Sequence, residues 1–196
     1  MIRRRVDLSM PWFVIADTHF DDPSILRRSG LQYSPEAVLA RTETMIEAWN
    51  DIVPRNGVVI HAGDVSLRCP EHKLRAILGR LNGVIYLAEG SHDHEALLCH
   101  ERFEAICDTF MFHHRGWDAR IFVAHHCHKV WPESHYGSWH IHGHSHGALD
   151  AYDATEGKLF DAFSPVPIPL ERVAEIMATR PDNYNQVREE ANDHST

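Results

Sequence analysis

Apolar residues in this chain fall into short unbroken blocks, separated by longer stretches of helical spacing. Trp12-Phe13-Val14-Ile15-Ala16 is the first block, and its continuity predicts a strand buried on both faces. It runs into Asp17-Thr18-His19. Ser34-Pro35 then supplies a capping hydroxyl followed by proline at the first helical position. Val38, Thr42, Met45, Ile46, Trp49, Ile52 and Val53 follow at helical spacing until Pro54 and Gly57 stop the run. Val58-Val59-Ile60 is a second strand, ending in His61-Ala62-Gly63-Asp64. Pro70 opens a second helix with Leu74, Ile77, Leu78 and Leu81 on one face, closed by Asn82-Gly83. Residues 84–88 form a third apolar block, which runs into Gly90-Ser91-His92-Asp93. The spacing beyond it predicts a third helix over residues 95–107. Residues 121–124 read as a strand running into His125, and residues 139–142 run into Gly143-His144-Ser145-His146. Residues 158–162 read as a late strand, and residues 170–179 as a last helix with Val173, Ile176 and Met177 inward. Strand and helix alternate through the first half, which predicts an α/β sheet with covering helices. Residues 1–180 are expected to form one domain, and residues 181–196 a polar, flexible C-terminal tail.

Composition narrows the partners. A net charge of −9 argues against gripping duplex nucleic acid through a broad basic face. The apolar stretch at residues 10–16 is too short for a signal core, and no window approaches a membrane span, so no membrane partner is expected. The arginines at positions 3–5 are expected to be solvated. Cys69, Cys99, Cys107 and Cys127 form no C-x-x-C pair, so they read as reduced thiols of a cytoplasmic protein. Oligomeric state is not legible.

Histidine is over-represented, at 17 residues. Five strands end in ligand-type side chains: Asp17 and His19, Asp64, His92, His125, then His144 and His146. Sites in α/β sheets gather at the carboxyl ends of strands, so these five segments are expected to meet at one sheet edge. Gly63, Gly90 and Gly143 stand just before three of the clusters, where glycine permits close backbone approach. Mixed carboxylate and imidazole donors suit borderline divalent ions. Six or seven such groups exceed one tetrahedral zinc, and two ions sharing a carboxylate fit better.

The blocks Asp17-Thr18-His19, Gly63-Asp64, Gly90-Ser91-His92-Asp93, His125 and Gly143-His144-Ser145-His146 also match, in order, those of a known family. Over residues 11–147 the chain resembles the calcineurin-like metallophosphoesterase superfamily, and its small bacterial and phage members most. The resemblance implies a four-layer α-β-β-α sandwich of two mixed sheets, with a two-metal site at the carboxyl ends of the strands. It implies two divalent ions, drawn from Mn, Fe, Zn or Ni. Asp17, His19, Asp64 and His146 would hold one, with Asp64 bridging to the other. His125 and His144 would help hold the second. A hydroxide shared by the ions would attack a phosphomonoester or phosphodiester. His92 would protonate the leaving oxygen, and Asp93 would orient or charge its ring. The substrate would be a small phosphoester, a nucleotide among the candidates. The family has asparagine as a second-metal ligand where this chain has Ser91. Ser91 is therefore a candidate ligand with a shorter reach, and the second site is expected to be weaker.

The remaining candidates have plainer readings. His126 and His128 are expected at a pocket rim or on the surface, and His61, His140 and His142 in the core beside the ligands. Asp21 and Asp22 are expected in a solvated loop. Trp131, Tyr136 and Trp139 line a pocket or simply pack. Two other functions compete with the phosphoesterase. A one-metal amide or ester hydrolase would need only three protein ligands. A binding or scaffold protein could keep the fold without the catalysis, and Ser91 is the feature favouring it.

Overall fold

The computed structural model describes residues 1–6, 10–28, 30, 32–114 and 120–183. Two five-stranded mixed sheets make up its frame. The first has the order β10-β2-β3-β4-β5, built from Ile168–Pro169, Trp12–Ile15, Val58–His61, Val84–Ala88 and Phe103–Cys107. Its strands β2 to β5 run parallel, and β10 is antiparallel to β2. The second has the order β1-β6-β7-β8-β9, built from Ile2–Val6, Thr109–His114, Arg120–Ala124, Trp139–His142 and Leu159–Asp161. Only β6 and β7 pair antiparallel there.

Side chains alternate between the faces of a strand, and that alternation sorts the apolar blocks into layers. Trp12 and Val14 of β2, Val58 and Ile60 of β3, Phe110 and Phe112 of β6, and Ile121 and Val123 of β7 share one core between the sheets. Phe13, Ile15, Val59, Ile85 and Leu87 face the other way, onto the helices α2 (Pro35–Ile52) and α3 (Glu71–Leu78). Met111, Phe122 and Leu159 form the outer face of the second sheet, with Trp131 and Cys127 against them. The short helix α5 (Asp150–Glu156) covers part of that face through Asp153, which reaches His142 of β8. The layers are therefore helix, sheet, sheet and a thinner helical cover. Helix α6 (Leu170–Ala178) inserts Leu170, Val173 and Met177 into the core between the sheets.

The helix signals act as the residues suggest. Ser34 caps α2 by accepting from the Ala37 N–H at 3.1 Å. The last turn differs from expectation: Ile52 is 37% exposed while Val53, just past the helix, is buried. A larger difference lies at residues 95–107. A one-turn helix α4 (His94–Leu98) and a 3₁₀ turn at His100–Arg102 lead into strand β5. Ala96, Cys99 and Phe103 all enter the same core, and their helical spacing comes from two elements in succession. At the N-terminus Arg3 and Arg4 are exposed as expected, but their segment is an edge strand paired with β6. Residues 184–196, most of the expected tail, lie outside the described residues. Among the described residues no helix is long and apolar enough to cross a membrane, and all four cysteines are free thiols.

Candidate metal centre

The two sheets are laced together at their carboxyl edge. Ala16 N–H donates to the Ala162 carbonyl at 2.9 Å, and Ala162 N–H to His142 at 2.7 Å. Asp17 N–H donates to Gly63 at 2.9 Å, and Gly143 N–H to His125 at 2.9 Å. The loops after β2, β3, β7 and β8 are thereby drawn into one place. A Cβ on Gly90 would lie 2.4 Å from the Asp64 backbone nitrogen, and one on Gly143 would lie 2.7 Å from Asp17 Oδ2. Any larger residue at either position would push the loops apart.

The loops are also strained. Eight non-glycine residues among those described have left-handed backbones, and five of them are Asp17, His19, Asp64, His144 and His146. Such conformations cost on the order of 1 kcal/mol or more each, and they cluster at functional sites.

The side chains converge in three overlapping groups. Asp17, His19 and His146 each offer a ligand atom within 4.8 Å of the others. Asp17, Asp64 and His125 form a second such group, and His125, His126 and His144 a third. Shared Asp17 joins the first group to the second, and shared His125 joins the second to the third. The cluster is thus continuous and wider than one ion requires.

Hydrogen bonds set each ring. His125 Nδ1 lies 2.8 Å from the Ala62 carbonyl oxygen, so it carries the proton and donates. In the neutral ring, the form that can ligate, Nε2 is bare, 3.3 Å from Asp64 Oδ1 and buried without a hydrogen-bond partner. A ligating histidine has this arrangement, its second nitrogen fixed by a carbonyl. His19 turns Nδ1 to Asp22 Oδ2 at 3.1 Å, and its Nε2, 3.8 Å from Asp64 Oδ2, is also buried without a partner. Bare imidazole nitrogens facing buried carboxylates suit divalent cations, so the residues present fit the ions that the sequence implies.

Charge points the same way. Burial pushes the Asp17 carboxyl up to about 7; the charge of His125 opposes this and that of Asp64 adds to it. Burial would also raise Asp64. The His125 ring beside it, with the His92 backbone N–H, outweighs this and holds Asp64 below the ordinary carboxylate range.

The other expected residues take the following places. His144 is exposed and donates its backbone N–H to Asp17, at 2.9 Å from Oδ2. The His92 ring lies 6.0 Å from the His19 ring, and its backbone N–H donates to Asp64 Oδ1 at 2.9 Å. Ser91 stands exposed on the turn after β4. Asp93 is buried and accepts from the backbone N–H groups of Asp64, Val65 and Gly90, at 2.9, 2.7 and 2.7 Å. Those bonds take up its carboxylate, and none reaches the His92 ring. His61 is buried and has both nitrogens occupied. Gly63 N–H donates to Nδ1 at 3.2 Å, so Nε2–H donates to Thr18 Oγ1 at 3.0 Å.

Several contributors escaped the sequence reading. Asp22, expected in solvent, is 1% exposed and braces His19. Its position before Pro23 and Ser24, whose backbone N–H it accepts at 2.7 Å, is the signal that marks it as a helix-start residue. Arg41 of α2 donates to the carbonyls of Thr18 and His19, at 2.8 and 2.9 Å, and holds their loop. Asp161 accepts from Ser145 Oγ and from Gly147 N–H, and so braces the turn that carries His144 and His146. His126, expected at the rim, is exposed but lies within ligand range of His125 and His144. No sequence pattern marks Arg41 or Asp161, which act across long separations. Beside His146 a cleft of about 620 Å³ is lined in part by Phe163, Arg180, Asp150 and Asp161.

The chain has the fold of a protein of unknown function from Aquifex aeolicus, with a TM-score of 0.66 and 19% identity over 85% of this chain and 99% of that one. Similarity to an archaeal phosphodiesterase is lower, with a TM-score of 0.43 and 23% identity, covering 68% of this chain and 72% of that one. No family model matches the chain, and no curated protein matches it.

Proposed function

We propose that the chain is a metal-dependent phosphoesterase of the calcineurin-like type. It would hydrolyse a small phosphomonoester or phosphodiester, such as a nucleotide, in the cytoplasm, through one domain spanning residues 1–180. The observation that carries this reading is the string of three ligand groups joined through Asp17 and His125. Asp17, His19 and His146 would hold one divalent ion, Asp64 would lie between the two, and His125 and His144 would hold the other. His126 flanks that second position, and Ser91 is where the family resemblance implies a ligand. His126 is the better donor of the two, because its imidazole already lies among its neighbours. Two such ions, when bound, supply Lewis-acid stabilisation of phosphoryl charge and a water acidic enough to ionise near neutral pH.

The chain's own residues do the rest. His92, partly exposed beside His19, donates a proton to the leaving oxygen. Asp93 positions rather than transfers: its carboxylate ties the Asp64 loop to the His92 loop. The cleft at Phe163 and Arg180 takes the leaving group, with the aromatic face and guanidinium suited to a base and a second anionic group. The net charge of −9 keeps duplex nucleic acid out of the substrate class.

The test is a panel of aryl phosphate monoesters and diesters, with an aryl ester as control, assayed with Mn, Fe, Zn and Ni alongside metal counting. At least two ions per chain and phosphoester turnover are expected. Cleavage of the carboxylic ester alone would favour a one-metal hydrolase. Metal binding without turnover of any phosphoester would favour the scaffold reading.

A further inference from the structure

The outer face of β8 carries a second set of ligand-type side chains, which the proposed centre does not use. Cys127 follows β7, His142 ends β8 and Asp153 lies in α5. One ligand atom from each lies within 4.8 Å of the other two. His142 and Asp153 are both 0% exposed, and Cys127 is a half-buried free thiol. His142 Nε2 lies 2.9 Å from Asp153 Oδ2, and its Nδ1 lies 3.1 Å from the Gly143 carbonyl oxygen. The other carboxylate oxygen, Asp153 Oδ1, is buried without a hydrogen-bond partner.

A buried imidazolium, donating from Nε2 to Asp153 and from Nδ1 to the Gly143 carbonyl, would account for both His142 distances. It leaves a thiol converging on the same pair and a carboxylate oxygen unsatisfied, which costs about 1–3 kcal/mol in a dry interior. A nucleophile relay does not fit either. With the carboxylate on Nε2, the thiol of a relay would need Nδ1, and that nitrogen is turned to the Gly143 carbonyl. A cation accounts for all three groups. Thiolate, imidazole and carboxylate are the donor set of zinc and its borderline-soft neighbours. An Nδ1–H held by a backbone carbonyl is the usual setting of a ligating histidine.

We propose that Cys127, His142 and Asp153 form a separate binding site for a thiophilic divalent cation of the zinc type. Solvent at the half-exposed Cys127 side supplies the fourth position. The site shares no ligand with the groups around Asp17 and His125, and it does not depend on the phosphoesterase reading. Its three ligands come from the β7 loop, the end of β8 and α5. A bound ion would therefore fasten α5 to the strand that leads directly into Gly143-His144, a structural role.

The experiment uses the full chain, stripped with chelator, kept reduced and titrated with Co(II). Wild type is expected to show a near-ultraviolet thiolate-to-cobalt charge-transfer band and to bind one more ion than Cys127→Ser, which lacks the band. Asp153→Asn should weaken that site by at least about tenfold. Asp64→Ala, which removes the proposed bridging ligand at the other centre, should keep the band, so failure of either site is seen separately. A measurement on unmutated protein guards against variants that do not fold: zinc should slow alkylation of Cys127, read by peptide mass, by at least about tenfold. No thiolate band at saturating cobalt, a band that survives Cys127→Ser, or a Cys127 alkylation rate indifferent to zinc would each overturn the site.

Discussion

The inner and outer halves of the candidate centre answer different physical demands. Asp17, His19 and Asp64 leave the first sheet and are 1%, 1% and 2% exposed. Each has a left-handed backbone, and Asp22, Asp93 and Arg41 brace their loops. His126 and His144 leave the second sheet and stand in solvent, where an imidazole is content without any ligand. A buried carboxylate is not content alone, because desolvation opposes its charge. On the proposed reading a cation would stabilise the inner half, whereas the outer half would need one only to react. The prediction that follows is tight, early binding inside and weaker binding outside.

Asp64 lies in the group that joins the halves, so its loss tests whether they are one centre. Asp64→Ala should bind at least one ion fewer than wild type and lower phosphoester turnover by more than roughly 10⁴-fold, since each ion contributes several kcal/mol. Retention of both ions by metal counting would mean that the halves are independent. The next largest effect belongs to His92, whose side chain meets the inner half at the His19 ring while its backbone N–H donates to Asp64. His92→Ala should cost about 10²–10⁴-fold in turnover with metal content unchanged. A variant that loses metal instead would make His92 a ligand.

The outer half gives a smaller effect. His126→Ala should weaken the second ion by about 10–100-fold while the first is untouched, as read by calorimetric titration. Ser91→Ala should change neither. The opposite ranking would return Ser91 to the ligand set and His126 to the rim.

The inner half was also the more legible of the two in the sequence. Asp17, His19 and Asp64 each follow a continuous apolar block, because strands of a parallel sheet are buried on both faces. Order and spacing could locate such strand ends. They could not locate what reaches the ends from elsewhere. Arg41 lies within a helix where no motif marks it, yet its guanidinium crosses to two carbonyls of the Thr18 loop. Asp161 is 16 residues from the serine it accepts from. His126 sits among three histidines in four residues, and only the curl of the loop after β7 separates the two in ligand range from His128. The misread helix over residues 95–107 has a similar origin. Ala96, Cys99 and Phe103 carry a helical period into one core, although the chain changes from helix to strand between them.

The smallest effect is a stability difference, and it bears most directly on why the inner half wants a cation. Burial holds the Asp17 carboxyl at about 7, from an ordinary 3.8. In the unfolded chain that group is ionised above about pH 4, while the folded, metal-free protein keeps its proton up to about pH 7. Between those limits the folded state binds more protons than the unfolded one, so Asp17 makes stability fall as pH rises, and above pH 7 its full cost is present. Asparagine removes the charge, keeps an oxygen for the His144 N–H and tolerates the left-handed backbone, φ 54°, that Asp17 adopts. Metal-free Asp17→Asn should therefore melt a few degrees above metal-free wild type at pH 8, at roughly 2–4 °C per kcal/mol. The gap should close near pH 4. Saturating metal should reverse the order, because a neutral amide oxygen is the poorer ligand and binding stabilises only the form that binds. A metal-free wild type that melts higher at pH 8 would show that the neighbouring imidazoles already neutralise Asp17, and that the inner half is satisfied without a cation.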